Sequence, residues 1–364
     1  MAIDETRLEQ LLHKLRADRG SDLHIKVGTP PRMRINGSLQ PVGEECPTLE
    51  ETEKLAAALL PAERAVEFAA DGEADFALDR ADLGRFRANV YRQRGSVALV
   101  FRAIAPDIPV FTELGLPGAV QRLAEEHRGL VLVTGPTGSG KTTTLASMID
   151  HINVTRPVNI VTIEDPVEVV HHDKRAIVSQ REIGADTRDF AQAMRRVLRQ
   201  DPDVILIGEM RDAETVWAGL AAAETGHLVL STLHTADTVD TVNRLVDFFP
   251  STQHGQIRLS LATSLRGIVS QRLIPRADGD GRVPAVEILI NTGRVAERII
   301  DPHKAGDSLG EVVADGEYYG MQTFDQSLLR LYREGHIDLR TALEGATNAS
   351  DLRVAIQRAG LPAA

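Results

Sequence analysis

A glycine-rich loop carries the clearest chemistry in this 364-residue sequence. The stretch from Gly135 to Thr142 matches G-x-x-x-x-G-K-[ST], directly after the apolar run 130–133 and before Leu145 and Met148 at helical spacing. Glycines let several backbone N–H groups converge on an anion, the lysine adds a point charge, and the threonine hydroxyl can help to hold Mg²⁺. The pattern therefore predicts a strand, a phosphate-binding loop and a helix whose positive end faces the phosphates.

We predict that a nucleoside triphosphate with Mg²⁺ contacts this loop and the first turn of the helix. The predicted contacts are Gly135, Pro136, Thr137, Gly138, Ser139, Gly140, Lys141, Thr142 and Thr143. Thr142 is the predicted contact with the metal, because its hydroxyl occupies the motif position that bridges Mg²⁺ and the terminal phosphates.

Carboxylates follow two further apolar runs, where strands of a parallel sheet would end. Pro166 ends the first run, so Glu164, Asp165 and Glu168 are predicted on the turn beyond it. A carboxylate there can orient an attacking water or hold Mg²⁺ through water, although the three acids could also form a solvated turn. The second run, 204–207, is followed by Gly208 and then by Glu209, which we place on the magnesium side.

Histidines flank a third apolar run. Alternation predicts that His227 and His234 lie on opposite faces of one strand. A single histidine is more often a satisfied core or surface residue. His234 nevertheless follows the last apolar residue of the run, which is where a side chain could sense the γ-phosphate.

Arginines form a fourth group. Between Leu83 and Pro106 the sequence has five arginines and no acid: Arg85, Arg87, Arg92, Arg94 and Arg102. They could form a basic strand face that aids solubility. Alternatively, an arginine from a neighbouring domain or subunit can stabilise phosphoryl transfer, an effect of about 10³ to 10⁵ in rate. Arg195 and Arg199 are spaced to share one helical face, and we weigh both readings for these two and for Arg87 and Arg102.

The sequence before residue 105 predicts a small α+β domain with an antiparallel sheet. Leucines at positions 8, 11, 12 and 15 predict one helix, and a capping box at Thr48 and Glu51 predicts the start of another that ends near Leu60. Strands are predicted at 21–27, 32–36, 74–78, 85–91 and 97–104. A turn is predicted at Asn36 and Gly37.

A proline-rich linker, 106–117, is predicted to join this domain to an α/β domain at 118–290. There, strand-length apolar runs at 130–133, 158–163, 203–208 and 227–233 alternate with helical segments. This alternation predicts a mainly parallel sheet with helices on both faces. Beyond Pro250 the sequence predicts mostly helices, interrupted by a strand at 283–290, and a helical region occupies 291–364.

Composition limits the remaining classes of function. A formal charge of −11 argues against a broad nucleic-acid-binding face. Cys46 is the only cysteine, which excludes an intramolecular disulfide and any C-x-x-C zinc site. No run of 18 apolar residues occurs, so we expect a cytoplasmic protein with no direct membrane insertion.

Together, the loop, the acidic run 162–168, the segment 199–212 and the histidine segment 225–235 resemble the four motifs of the secretion ATPase superfamily. Within it the chain resembles the type IV pilus retraction ATPases, the PilT family. Residues 21–25 and 31–37 are similar to that family's PAS-like N-terminal domain, and 320–326 to its C-terminal region. The resemblance implies a RecA-like P-loop ATPase domain with a mainly parallel sheet, preceded by a PAS-like domain (1–105) and followed by C-terminal helices.

The same resemblance implies roles for individual residues. Lys141 and Thr142 would bind phosphate and Mg²⁺, Glu168 would polarise the attacking water, and Glu209 would be the acid of the second motif. His227 and His234 would form the histidine motif, and Arg87, Arg102, Arg195 and Arg199 would reach the nucleotide. The family's members are homo-hexameric ATP-hydrolysing rings that act on an inner-membrane platform protein, which would place this protein at the membrane periphery.

Departures from the family pattern leave alternatives open. The chain lacks the four-cysteine zinc motif and the longer N-terminal extension of assembly ATPases, which favours retraction. At 296–303, however, it keeps only Ala296 and Arg298 of a stretch typical of retraction motors, and Pro302 is expected to end the helix early. An accessory, PilU-like or regulatory ATPase docking on another pilus ATPase is therefore an alternative, and a RecA-like DNA translocase is a further one.

Overall fold

A computed structural model of the protein describes residues 3–18, 20–35, 37–104, 108–279 and 281–362. These residues divide into two compact units, one comprising Met1–Asp107 with Pro166–Val170 and the other Ile108–Asp165 with His171–Ala364. Asn36 in the predicted turn and the start of the predicted linker lie outside the described residues. The finer division at 118, 290 and 291 stays a prediction.

The first unit contains an antiparallel sheet packed with helices. Its strands are β1 (Asp22–Lys26), β2 (Arg32–Ile35), β3 (Ser38–Pro41), β4 (Glu73–Arg80), β5 (Gly84–Gln93) and β6 (Ser96–Ala103), in the order β3-β2-β1-β6-β5-β4. Its helices are α1 (Glu5–Ala17), α2 (Leu49–Leu59) and α3 (Ala62–Asp71). Strand β3 was not predicted from the sequence, because its residues are all exposed and therefore lack an apolar alternation.

Local sequence explains these elements. The predicted capping box starts α2, since the Glu51 backbone N–H donates to Thr48 Oγ1 at 3.3 Å and the Thr48 N–H donates to Glu51 Oε2 at 2.8 Å. The leucines of α1 are buried in one core with Phe86 of β5 and Phe101 of β6. Because β5 alternates between buried and partly exposed residues, one face of this sheet remains available to polar side chains.

The second unit is built on a sheet in the order β13-β12-β7-β11-β10-β8-β9. Its strands are β7 (Gly129–Thr134), β8 (Asn159–Glu164), β9 (Ile177–Glu182), β10 (Val204–Ile207), β11 (Leu228–Leu233), β12 (Leu265–Pro275) and β13 (Arg282–Ile290). All neighbouring pairs are parallel except β12 with β13. The predicted fold class, a mainly parallel sheet after a small antiparallel one and before C-terminal helices, is confirmed.

Helices flank this sheet and complete the unit. They are α4 (Phe111–Leu114), α5 (Gly118–Ala124), α6 (Lys141–Thr155), α7 (Phe190–Val197), α8 (Ala213–Glu224), α9 (Thr238–Asp247), α10 (His254–Ser264), α11 (Gly293–Ile300), α12 (Leu309–Ala314), α13 (Phe324–Arg333), α14 (Leu339–Gly345) and α15 (Ala349–Arg358). Short 3₁₀ helices occur at Ser251–Gln253 and Glu317–Tyr319. As predicted, α11 ends before Pro302.

Neighbouring residues of β7 belong to different cores. Leu130 and Leu132 pack with residues of α7 to α12, whereas Val131 and Val133 pack with α5 and α6. A strand buried on both faces reads as a continuous apolar run, which is why this part of the sheet was predicted correctly. Among the described residues, no helix is both long and apolar enough to cross a membrane.

The expectation of mostly helical structure beyond Pro250 was wrong at β12. This strand is hydrogen-bonded between β7 and β13, yet it carries Ser270, Gln271 and Arg272. Polar residues in an interior strand hide its apolar pattern, so tertiary pairing overrides the local signal. Strand β9, which lies at one end of the sheet order, was also missed.

Candidate functional site

The loop between β7 and α6 has the conformation expected of a phosphate cradle. Gly135 and Gly140 adopt φ values of 139° and 92°, a backbone region that favours glycine. A Cβ atom on Gly135 would lie 2.4 Å from the backbone oxygen of Gln271 on β12. Glycine is therefore required at this position both for the backbone conformation and for the close approach of β12.

Lys141 begins α6 and folds over the loop. Its Nζ donates to the backbone oxygens of Gly135 at 2.8 Å and Pro136 at 3.0 Å, and the residue is only 9% exposed. The two carbonyl groups orient the ammonium over the loop. A positive charge is thus held beside the amino terminus of α6, where both would attract phosphate.

Thr142 and Thr143 are exposed in the first turn of α6. Among the described residues, no group of three or more His, Cys, Asp or Glu side chains could hold a metal ion by itself. Exposed hydroxyl and carboxylate oxygens are nevertheless the donors that Mg²⁺ prefers, and nucleotide phosphates commonly supply the remaining ligands. The residues at this end of the sheet therefore fit magnesium bound together with a nucleotide.

Strand register brings the predicted acids to the same edge as the loop. Thr134 at the end of β7 is paired with Leu233, and Ile207 of β10 is paired with Ile163 of β8. The Gly208 N–H donates to the Ile163 backbone oxygen at 2.8 Å. A Cβ atom on Gly208 would lie 3.3 Å from Glu164 Cα, so the absence of a side chain lets the chain bearing Glu209 pass close to Glu164.

Glu164 is the last residue of β8, not a turn residue as predicted. Its Oε1 accepts hydrogen bonds from Thr162 Oγ1 at 2.6 Å and from Gln180 Nε2 at 3.1 Å. These donors fix the direction of the carboxylate. A carboxylate oriented in this way can accept a proton or position water.

Glu209 lies between a cation and a histidine. Arg211 Nε donates to Glu209 Oε2 at 2.8 Å, and His234 Nε2 lies 3.5 Å from Glu209 Oε1. Arg211 also approaches Asp165, with Nη1 4.0 Å from Oδ2. Glu209, Arg211 and His234 line one end of a cleft of about 640 Å³. Arg211 was not among the residues predicted from the sequence, although its position two residues after Glu209 was a signal for it.

A row of hydroxyl groups connects the phosphate-loop strand to the residue after His234. Thr134 Oγ1 lies 2.8 Å from Ser270 Oγ and 3.4 Å from Thr241 Oγ1, and Thr241 Oγ1 lies 2.7 Å from Thr235 Oγ1. Thr134, Ser270 and Thr241 are fully buried. Buried polar groups that satisfy one another restrain the elements that carry them, here β7, β12 and the start of α9.

His227 lies at the opposite, amino-terminal edge of the sheet. His227 and His234 lie just outside β11 at its two ends, about 23 Å apart at about 3.3 Å per residue, so neither is on a strand face as predicted. His227 Nδ1 lies 2.9 Å from the Ala222 backbone oxygen. Of these two histidines, only His234 lies at the edge of the sheet that carries the loop.

The expectation that Arg195 and Arg199 share a helical face was wrong, because α7 ends at Val197. Arg195 Nη1 donates to Glu214 Oε1 at 2.8 Å, and Arg199 Nη1 donates to the Arg195 backbone oxygen at 3.2 Å. The chain then enters β10 from its amino end. Arg199 therefore lies near the amino-terminal edge of the sheet.

Arg87 and Arg102 belong to the first unit, where they are direct cross-strand partners on β5 and β6. Arg87 Nε lies 3.8 Å from Asp75 Oδ1, and Arg102 Nε donates to Asp22 Oδ1 at 2.9 Å. Burial by itself raises the pKa of Asp22, but hydrogen bonds from Ser21 and Arg102 outweigh it and lower that pKa. Two like charges directly opposite each other destabilise a sheet. A functional role is therefore a better explanation than folding stability for the two arginines at these positions.

Glu168 is exposed, and it belongs to the segment Pro166–Val170 that groups with the first unit. The phosphate loop, Glu164 and Glu209 belong to the second unit. The structure therefore gathers Lys141, Glu164, Glu209 and His234 within one unit. The catalytic role predicted for Glu168 stays a prediction.

Comparisons with known proteins identify relatives across nearly the whole chain. The pattern of the family described as Type II/IV secretion system protein matches residues 112–312. The chain is 41% identical over 351 residues to the type IV pilus ATPase PilU of Pseudomonas aeruginosa, covering 96% of this chain and 91% of that relative. It is 42% identical over 328 residues to the type IV pilus retraction ATPase PilT of the same organism, covering 90% and 94%.

A solved structure matches as well. The crystal structure of the pilus retraction motor PilT with bound ADP has a TM-score of 0.88 and 43% sequence identity to this chain. The match covers 96% of this chain and 98% of the solved one. At this identity and coverage, the comparison supports a nucleotide-binding fold over both units.

Proposed function

Because the chain belongs to the Type II/IV secretion system protein family and is a type IV pilus motor ATPase, we propose that it is a hexameric motor for pilus retraction. The observation that carries the proposal is the meeting of the phosphate loop, Glu164, Glu209 and His234 at one edge of a parallel sheet. Work from ATP hydrolysis at this edge would remove pilin subunits from the filament base, which would drive twitching motility.

In the proposed site, residues 135–143 bind ATP. Backbone N–H groups of the loop and the Lys141 ammonium hold the phosphates. Mg²⁺, when bound, supplies charge neutralisation on the β- and γ-phosphates. The Thr142 hydroxyl would hold it directly and Glu209 through water, since the Glu209 carboxylate is already oriented by Arg211.

Glu168 is proposed to take the proton of the attacking water. Glu164 would order the same water network, because its carboxylate is fixed at the end of β8. His234 would report the presence of the γ-phosphate through its proximity to Glu209. The three acids thus have separate roles, with Glu168 in proton transfer, Glu164 in water ordering and Glu209 in support of the metal.

Arginines are proposed to complete the site between subunits of the ring. Arg199 and His227 lie at the edge away from the loop in their own chain, and Arg195 precedes Arg199 in α7, so we assign the three to a site shared with a neighbour. Arg87 and Arg102, paired on an open sheet face, would reach the transferring phosphoryl group in the same manner.

The proposed partners follow from this mechanism. A ring of six copies would act on an inner-membrane platform protein and would sit at the cytoplasmic face of that membrane through this contact. Another pilus ATPase is a further proposed partner. Nucleic acid is not, since the PilU and PilT relatives compared above are pilus ATPases.

ATP turnover by the purified ring tests the proposal. We expect magnesium-dependent hydrolysis, and we expect Lys141→Ala or Glu168→Gln to lower kcat by about 10² to 10⁴. Gln121→Glu, a change at a partly exposed position on α5, is the control. Wild-type turnover no higher than that of the two variants in an assembled ring would refute the proposal.

Deletion of the gene tests the direction of movement. A retraction motor predicts that surface filaments accumulate and that twitching stops. Loss of filaments instead would indicate an assembly motor.

An accessory, PilU-like role is the second candidate, because the PilU relative matches 96% of the chain and α11 ends at Ile300 before Pro302. This role predicts that filaments retract in the deletion strain whenever another retraction ATPase is present at a higher level. It also predicts hydrolysis near background for the isolated protein and recovery on addition of the partner ATPase.

A further inference from the structure

Gln180 on β9 hydrogen-bonds to two separate parts of the chain. Its Oε1 accepts from the backbone N–H of His171 at 2.7 Å, and its Nε2 donates to Glu164 Oε1 at 3.1 Å. Strand register places Gln180 opposite Thr162, whose hydroxyl donates to the same carboxylate oxygen at 2.6 Å. The Gln180 side chain thus contacts both Glu164, at the end of β8, and His171, seven residues further along the chain.

The segment between these two contacts, 165–170, contains Glu168. It has no helix or strand; Val167 within it is buried, and Gln180 contacts Glu164 and His171, the residues at its two ends. At the returning end His171 is 8% exposed, and burial lowers the pKa of its imidazole to about 4, which keeps the ring neutral. Fixing both ends of a short segment reduces the conformations available to a side chain within it.

A carboxamide is the side-chain group that suits both contacts. Its oxygen accepts from a peptide N–H while its nitrogen donates to a carboxylate. A glutamate could accept from His171 but would oppose Glu164 with a second negative charge, and a leucine could make neither bond. The two contacts can therefore be broken separately by substitution.

We propose that Gln180 is a positioning residue for ATP hydrolysis, holding both ends of the segment that carries Glu168 and aligning the Glu164 carboxylate. The inference rests on the proposed function, because it assigns the alignment to the water-activating acids. Gln180 itself does not touch the reacting atoms in this mechanism. Its loss should therefore lower turnover without weakening nucleotide binding.

Two variants of the full-length ring test the two contacts, with Gln121→Glu as the matched control. Gln121 Nε2 donates to Glu125 Oε1 at 3.1 Å, so this control also removes an amide-to-carboxylate hydrogen bond. For Gln180→Glu and Gln180→Leu we expect kcat to fall about tenfold or more, the rate equivalent of one charge-assisted hydrogen bond. ADP affinity should stay within about twofold of wild type, because the loop is intact.

Hydrogen exchange followed by mass spectrometry separates alignment from general damage. In Gln180→Leu, peptides covering the His171 amide should exchange faster, whereas Gln180→Glu retains an acceptor and should exchange at the wild-type rate. If the Gln180→Leu protein does not assemble, the result for Gln180→Glu decides whether the inference holds.

Three results would overturn the inference: kcat within about twofold of wild type in Gln180→Glu, a loss of ADP affinity that matches the loss of kcat, or an equal loss in Gln121→Glu. Absence of turnover in the wild-type ring would instead refute the proposed function itself. The two failures are therefore distinguishable.

Discussion

Strand β7 is buried at each of its residues, whereas β5 alternates between buried and partly exposed ones. The parallel sheet consequently has no room for charged side chains along β7, and its functional groups lie at strand ends, as Glu164 does, or beyond them, as Lys141 and Glu209 do. The antiparallel sheet has an open face, so Arg87 and Arg102 can lie within the strands themselves. Burial on one or two faces thus decides where each unit can hold polar chemistry.

The two sheets also differ in how their buried carboxyl groups are stabilised. Asp22 on β1 accepts hydrogen bonds from Ser21 and Arg102, which lower its pKa despite burial. Glu287 on β13 has its pKa raised by burial, although it accepts from the Thr238 backbone N–H and hydroxyl at 2.9 and 2.8 Å. A cation partner is therefore what separates the two cases.

The largest expected effect concerns the open face of the antiparallel sheet. If Arg102 stabilises phosphoryl transfer in a neighbouring subunit, Arg102→Ala should lower kcat about 10³-fold. Mixing this variant with Lys141→Ala should restore part of the activity, because one interface in a mixed ring regains a complete site. If no mixing ratio restored activity, Arg102 would act within its own chain or would only stabilise the fold. Arg85→Ala, a change on the neighbouring strand β5, is the control.

A second test compares glycines at loops of the two sheets. Gly135→Ala should lower ATP affinity about 100-fold or more, because its Cβ would collide with the Gln271 backbone oxygen. Gly95, in the turn between β5 and β6, has φ 74°, and no atom lies within 4 Å of the position that a Cβ would take there. Gly95→Ala should therefore cost only about 1 to 2 kcal/mol of stability and leave ATP binding unchanged. Equilibrium binding of a fluorescent ATP analogue and thermal unfolding measure both; similar affinities in the two variants would contradict the comparison.

A third, smaller effect is expected from the hydroxyl row behind the phosphate loop. Thr241→Val keeps the side-chain shape but leaves Thr134 and Thr235 without that neighbour, so kcat should fall about tenfold. Thr241→Ser restores a hydroxyl and should recover most of the rate. Steady-state kinetics on both variants decides the matter, and equal rates for the two would exclude a role for the hydroxyl.

The smallest effects concern pH and the two buried carboxyl groups. The lowered pKa of Asp22 means that its contribution to stability is present above its unfolded pKa and is lost as pH falls through the folded value. The raised pKa of Glu287 has the opposite sign: its contribution is present at low pH and is lost as pH rises through the folded value.

Thermal unfolding of Asp22→Asn between about pH 2 and 5, and of Glu287→Gln between about pH 4 and 8, measures these contributions. Relative to wild type, Asp22→Asn should become more destabilising as pH rises, and Glu287→Gln should become less so, each by about 1 kcal/mol. If the stability of both variants relative to wild type changed with pH in the same direction, the contrast between the two sheets would be refuted.

Sequence reasoning predicted the parts of the fold whose signal is local. The capping box at Thr48, the apolar runs of β7 and β11 and the glycine loop each announce their structure within a few residues. Strand β12 did not, because its polar residues Ser270 and Arg272 have partners far away in sequence, Thr134 and the Gly345 backbone oxygen. Gln180 was not predicted from the sequence for the same reason. Strand β9 has no apolar run, and the two contacts of Gln180 depend on pairing with β8.

The sequence by itself determined that this chain binds nucleotide. The motif G-x-x-x-x-G-K-[ST] combines glycines, which permit the backbone conformation of a phosphate loop, with a lysine at one fixed position. Which acids, histidines and arginines share an edge with that loop was decided by the tertiary structure alone. Strand direction and register placed His234 beside Glu209 and sent His227 and Arg199 to the far edge. Spacing along a chain cannot report the end of a sheet at which a residue emerges, because that depends on the pairing of distant strands.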